Sequence, residues 1–212
     1  MRILSLALLA ALSLGVAPAR AQTFGTFTGS EPLPVNGRMF GVYLQTSKNV
    51  ASIVSQLRLS FYPDVDFGFQ GGLARQNYGN NSSRTTLRVG GDLKFVVAKP
   101  SANWPFSMAL DAALGIETGD NFNVLTIGPK LVASRTIATG QSVSFSPYVA
   151  LGLMFSNIDV GSNSSTDLSF PLHLGAGLKI SPQLELNAEL QVRIADSFND
   201  DTGFSFGVNL PF

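Results

Sequence analysis

The sequence predicts an all-β fold, a transmembrane antiparallel up-and-down β-barrel of ten strands, and three observations lead there. Apolar and polar residues alternate with period two through most of the chain after about residue 38. The apolar set of these segments contains no Asp, Glu, Lys, Arg or His. A stretch resembling a cleavable export leader precedes them.

The leader comes first. Met1-Arg2 gives a charged start, Ile3 to Leu14 an apolar run, and Ala19-Arg20-Ala21 the small-x-small pattern of a signal-peptidase site. Residues 1–21 therefore read as a signal peptide cleaved after Ala21, since the run is well short of the ~20 residues a membrane-crossing helix needs. Residues 22–37, with Pro32 and Pro34, carry no sustained pattern and are expected to be a periplasmic lead-in or a short plug. The barrel is expected over residues 38–212.

Its strands are read at Phe40–Leu44, Ile53–Phe61, Val65–Leu73, Leu87–Val97, Phe106–Ile116, Leu125–Ala133, Val143–Phe155, Leu168–Ile180, Leu184–Ile194 and Phe204–Phe212. The clearest is Leu184–Ile194: Leu184, Leu186, Ala188, Leu190, Val192 and Ile194 share one face, and Glu185, Asn187, Glu189, Gln191 and Arg193 the other. A helix would mix the two sets; a strand separates them. Tyr62-Pro63-Asp64, Ile137 to Gln141 and Ser181-Pro182-Gln183 are tight turns of the periplasmic kind. Gln76 to Arg84, Asn157 to Asp167 and Asp196 to Thr202 are longer polar connections expected to face outward. Lys99 to Pro105 is long for a periplasmic turn, and Lys48 to Val50 short for an outer loop.

Strict alternation also describes soluble barrels, whose apolar face points inward. Here the polar face is mostly Gly, Ser and Ala with charges of both signs, which suits a narrow interior better than a surface in water. That face carries Arg58, Asp66, Arg88, Asp92, Lys94, Asp111, Glu117, Lys130, Lys179, Glu185, Glu189 and Arg193, six bases against six acids. They are expected to form a lumen charge network, because an unpaired confined ion costs several kcal/mol. The chain closes on Ser205-Phe206-Gly207-Val208-Asn209-Leu210-Pro211-Phe212, where Ser205, Gly207, Leu210 and Phe212 match the C-terminal assembly signal of outer-membrane barrels. Pro211 suggests that Phe212 lies past the last ladder bond.

Four segments carry a resemblance to a known family: Ser146-Pro147-Tyr148-Val149-Ala150-Leu151-Gly152, Leu174-Gly175-Ala176-Gly177-Leu178-Lys179, Leu184-Glu185-Leu186-Asn187-Ala188-Glu189 and Phe206-Gly207. They resemble the small OmpA-type or opacity-type outer-membrane β-barrels, over roughly the last third of the chain. The resemblance implies an architecture more than a function. Members usually have eight strands, so eight is the alternative count, with the hairpin Phe106–Ala133 either an addition or an over-split segment.

Composition excludes several classes. Fourteen Lys and Arg balance fourteen Asp and Glu. Loss of Arg2 and Arg20 with the leader leaves 12 bases against 14 acids, about −2, so no nucleic-acid partner is expected. Cysteine is absent, which excludes disulfides and thiolate metal sites. His173 is the single histidine, with no nucleophile or acid at a motif spacing, and reads as a lumen residue rather than a catalytic one. No His pair accompanies the carboxylates, so neither a metal nor a cofactor is expected. Asp64 and Asp66, or Asp196, Asp200 and Asp201, read as solvated acids rather than a calcium loop. Asn80-Asn81-Ser82-Ser83 and Asn163-Ser164-Ser165 read as polar loop tips.

The resulting expectation is a monomeric, non-enzymatic barrel of the bacterial outer membrane with a structural or surface-interaction role and a largely filled lumen. A narrow porin-like channel ranks second and a lipid-modifying enzyme third. Outer-membrane lipids, the barrel-assembly machinery and periplasmic chaperones are the expected partners.

Overall fold

The computed structural model describes residues 25–77, 83–140, 143–195 and 201–212. The leader, the Asn80–Ser82 tip, Asp196 and Asp200 lie outside them. Twelve strands form one antiparallel sheet: β1 (Arg38–Ser47), β2 (Val50–Tyr62), β3 (Val65–Asn77), β4 (Ser83–Ala98), β5 (Ser107–Gly119), β6 (Phe122–Ser134), β7 (Ile137–Ala138), β8 (Ser144–Gly152), β9 (Met154–Val160), β10 (Asn163–Ser181), β11 (Leu184–Ala195) and β12 (Asp201–Pro211). Pairing of β1 with β12, from Met39↔Pro211 to Ser47↔Gly203, closes the sheet on itself. The short β7 only extends the rim beside β8, and β8 and β9 run in line between β6 and β10. The closed wall therefore has ten strands. Eight is excluded by β5 and β6, which pair continuously from Ser107↔Ser134 to Gly119↔Phe122.

The interruption between β8 and β9 departs from the single strand expected over Val143–Phe155. Its cause lies in the neighbours. Pro129 of β6 and Pro171 of β10 flank the break and bring no N–H to it, while the Leu153 N–H still reaches the Pro129 carbonyl at 2.9 Å. The chain approaches β6 so closely here that a Cβ on Gly128 would sit 1.9 Å from the Leu153 carbonyl oxygen.

At one rim the connections are Pro63-Asp64, Pro182-Gln183 and the Lys99–Phe106 crossing, where Ser101 and Trp104 form an isolated bridge. Both ends of the barrel segment, Arg38 and Phe212, also lie at this rim, called here the turn end. Asp64 has φ 64°, a left-handed turn position that Asp tolerates. Register shifts between Leu59 and Tyr62, Val96 and Ala98, and Lys179 and Ser181 cluster at the same rim, as bulges do where a barrel edge must curve.

The opposite rim differs from expectation. Asn157 to Asp167 is not a long polar loop: β9 continues to Val160, Gly161 turns at φ 60°, and β10 resumes at Asn163. Polar residues can extend a hairpin beyond the apolar belt because ladder bonds satisfy the backbone there. The Pro211 expectation is also corrected. The Phe212 N–H donates to the Arg38 carbonyl at 2.9 Å, so Phe212 makes the last ladder bond itself. Pro211 is tolerated because the β11 pairing already ends at Asn209, leaving no acceptor for an N–H on that side.

The alternation sorts side chains as an inside-out protein. Leu44, Ile53, Leu73, Leu87, Leu114, Ile127, Phe155, Leu174 and Phe206 are exposed on the outer face, whereas Arg58, Asp66, Arg88, Lys94, Lys130 and Glu189 are 1–3% exposed inside. Water would favour the reverse arrangement. Hydrocarbon favours this one, because the closed sheet pairs most backbone groups internally and the side chains of the apolar belt carry no charge. The soluble alternative, with its apolar face inward, does not describe this chain.

Candidate functional site: the lumen

The lumen is where polar chemistry collects. Its first cluster joins three neighbouring strands at the turn end. Arg58 of β2 reaches Asp92 of β4 through both terminal nitrogens at 2.8 and 3.2 Å, and its Nε lies 3.9 Å from Asp66 of β3. Lys94 of β4 stands 3.6 Å from the same Asp66 carboxylate. The space for the forked pair comes from Gly68 on the intervening strand, where a Cβ would sit 2.2 Å from Asp92 Oδ1 and 2.8 Å from an Arg58 nitrogen.

Two further pairs line the adjacent wall. Lys130 meets Asp111 directly across β5 and β6 at 3.0 Å. Arg88 meets Glu117 across β4 and β5 at 3.1 Å, and that carboxylate also accepts from Gln76 at 2.7 Å and from the Thr86 hydroxyl. Toward the loop end, Arg193 pairs with Asp167, an acid expected at the edge of an outer loop but carried instead on β10. Lys179 has the lumen-facing parity and stands opposite Glu185 in the β10–β11 register, but at the turn end it is exposed rather than enclosed. Glu185 accepts from Asn209 Nδ2 at 3.1 Å.

The most connected group is Glu189 of β11. Its carboxylate accepts from the His173 Nδ1–H at 2.9 Å, the Tyr148 hydroxyl at 2.7 Å, Gln191 Nε2 at 2.7 Å, and the backbone N–H groups of Thr26 and Phe27 at 3.1 and 2.9 Å. Tyr148 reaches it by lying over Gly175, where a Cβ would come within 2.2 Å of the ring. The sequence held one signal for the His173 link. His173 and Gln191 are direct partners across the β10–β11 hairpin, which places Glu189 one lumen-facing position away. That relation needs the register, which spacing along the chain does not supply.

Residues 25–33 occupy the remaining centre. They pair with no strand, yet Thr26, Phe27 and Ser30 are 0–2% exposed. The Phe27 ring stacks on Tyr43 at 3.8 Å and 8°, and both join Val54 in a buried cluster. Tyr43 donates to Asn209 and stands above Gly41 and Gly207, two positions where a Cβ would meet its ring. At the loop end, Phe122 and Val124 form a second internal apolar cluster with Ile158 and Val160, and Arg84 lies 5.2 Å above the Phe122 ring. Val54 has the polar parity of the strand expected over Ile53–Phe61, whereas Phe122 and Val124 precede the strand expected from Leu125 and become lumen-facing only because β6 starts earlier. Among the described residues no group of three or more His, Asp or Glu side chains is gathered closely enough to hold a metal ion.

No family model matches the chain, and no curated protein matches its sequence. Solved structures do match its fold. The β domain of the Bordetella autotransporter BrkA aligns with a TM-score of 0.54 at 12% identity, over 84% of this chain and 100% of that one. The N-terminal β-barrel domain of Pseudomonas aeruginosa OprF aligns over 84% and 98% at 9% identity with a TM-score of 0.37. The KdgM porin, solved with disordered oligogalacturonate, aligns over 82% and 99% at 10% identity with a TM-score of 0.41. A lipid-facing apolar belt, a closed ten-strand wall and a charged interior define the class: this is a β-barrel of the outer-membrane type.

Proposed function

We propose that the protein is a closed barrel of the bacterial outer membrane, exported by its leader, monomeric, and serving a structural or surface-interaction role rather than catalysis. The observation that carries this reading is the filling of the lumen. Buried ion pairs bridge strands along its wall, and residues 25–33 run through its middle. In this reading the turn end, with its short connections, faces the periplasm, and the loop end faces outward. Lipids contact the belt. Planar-bilayer recording of the purified chain tests the closed state: rare, small events are expected, and steady, large single-channel currents would replace this reading with the porin-like one.

One feature favours the channel as the second reading. A cavity of about 390 Å³ at the turn end, lined by Glu31, Asp66, Lys94, Lys179 and Glu185 among others, extends from the N-terminal segment toward the rim. Thr28, Gly29 and residues 31–34 line it.

The C-terminal strand supplies an assembly signal for the barrel-assembly machinery in this proposal, with periplasmic chaperones delivering the unfolded chain. Ser205 and Gly207 face the lumen, while Leu210 and Phe212 are exposed on the outer face. Deleting Phe212 is expected to slow membrane insertion several-fold while leaving export intact, measured by the folded fraction on unboiled gels after pulse-labelling. Insertion at the parental rate would make the ending incidental.

A further inference from the structure

The lumen binds residues 25–33 mainly through their main chain, with two hydroxyls added: Thr28 Oγ1 accepts from Lys94 at 3.1 Å and Ser30 Oγ donates to the Ser107 carbonyl at 2.8 Å. Seven backbone groups of the segment are held by wall side chains. Gln70 donates to the Gly25 carbonyl at 3.3 Å, Glu189 accepts from Thr26 N and Phe27 N, and Asn209 donates to the Phe27 carbonyl at 3.3 Å. Lys94 donates to the Gly29 carbonyl at 2.8 Å, Ser134 Oγ accepts from Ser30 N at 2.9 Å, and Asp66 accepts from Leu33 N at 3.1 Å. Contacts of this kind read a peptide backbone and are largely indifferent to sequence, while a pocket for one side chain sets the register. Phe27 fills that pocket. Its ring lies between Tyr43 and Gly25, where a Cβ would approach the ring to 2.1 Å.

Phe27 also has φ 56°, a left-handed conformation that an aromatic residue seldom adopts. Such a conformation persists only where the surroundings impose it. The wall, rather than the segment's own preference, therefore dictates its path. On this geometry we infer that the lumen contains a peptide-binding site, occupied in cis by residues 25–33, whose ligand class is a non-helical peptide bent at a Gly-x-Phe anchor. A competing peptide of that pattern can displace the segment. The inference rests on the closed-lumen reading above, because the same contacts close the barrel.

The test begins with the full chain carrying a protease recognition sequence inserted between Val35 and Asn36, folded in detergent and then cut, so that the barrel is assembled before the segment is freed. The probe is a fluorescent synthetic peptide of residues 25–34, followed by anisotropy, with heat-modifiable migration confirming that the cut barrel is intact. Saturable uptake at one peptide per barrel is expected. A peptide carrying Phe27→Ala should bind about tenfold more weakly, the loss appropriate to one aromatic stack with its burial. A peptide with Thr26→Ala should bind within about threefold of the parent, because the Thr26 hydroxyl makes no hydrogen bond to the described wall and backbone bonds carry most of the recognition. No uptake by the cut barrel, or equal binding of the Phe27→Ala peptide, overturns the proposal. The uncut chain with Phe27→Ala provides a second route. It should take up labelled peptide where the uncut parent does not, and equal exclusion by both also overturns it. Conductance of the uncut parent reports on the closed-lumen reading separately, so currents there with normal peptide uptake would reject that reading and keep the peptide site.

Discussion

Replacing Glu189 with alanine is expected to cost about 3–5 kcal/mol of barrel stability, the range for stripping one partner from a buried charged network. The carboxylate serves five donors drawn from three parts of the chain: Tyr148 of β8, His173 of β10 together with Gln191 of β11, and the Thr26 and Phe27 N–H groups of the internal segment. With alanine, each of these enclosed groups loses an acceptor that water cannot readily replace, and a single orphaned donor already costs ~1–3 kcal/mol. The losses are not additive, because side chains and water relax into the space. Glu185→Ala is the comparison. It lies on the same strand and face, but at the turn end, where Asn209 is its hydrogen-bonded partner among the described residues, so about 1 kcal/mol is expected. Urea unfolding in lipid vesicles, followed by tryptophan fluorescence or gel mobility, measures both. Equal losses at the two positions would show that Glu189 is not a hub.

Arginine at Leu174 is expected to cost ~2–4 kcal/mol, and arginine at Ile180 only ~0–1 kcal/mol, although both stand on the outer face of β10. Leu174 pairs directly with Leu190 in the middle of the β10–β11 hairpin, far from either rim, so its side chain meets the hydrocarbon centre. Ile180 is next to the turn that begins after Ser181, where a long arginine can extend its guanidinium into the headgroups. The same unfolding measurement checks this gradient. A depth-independent cost would argue against the orientation of the belt, and no cost at either position would argue against lipid contact altogether.

Glu189 and Leu174 also differ in how far each was visible before folding. The outward placement of Leu174 follows from parity alone. A strand's side-chain period is two, so once one residue of Leu168–Ile180 is known to face outward, all its alternate neighbours do. The shared lumen-facing parity of the twelve charged residues follows from the same period, and Lys179 stands exposed at the rim. Their pairing does not follow from it. Arg58 with Asp92 spans two strands across Gly68, and Arg193 takes Asp167 rather than another member of the expected set. Those choices depend on strand stagger, which local composition encodes weakly.

The strand limits tell a similar story. Phe40–Leu44 grew to Arg38–Ser47, and Asn157–Asp167 became a hairpin, because hydrogen bonding to a neighbour can extend a strand past the point where hydrophobicity stops alternating. The break at Leu153 came from prolines on two other strands rather than from Leu153 itself. No reading of residues 143–155 in isolation contains it.

The amino-acid sequence by itself therefore determined the class of wall: antiparallel strands, one uncharged face, and a second face carrying balanced charges. Those properties repeat every two residues and need no knowledge of distant partners. Only the tertiary structure decided what fills that wall. Residues 25–33 carry no period, and their course through the lumen is set by Glu189, Asn209, Lys94, Ser134, Gln70 and Asp66, all of them remote in sequence. These side chains converge on one path only after the sheet closes through β1 and β12, because closure brings wall positions from opposite ends of the chain to the same depth.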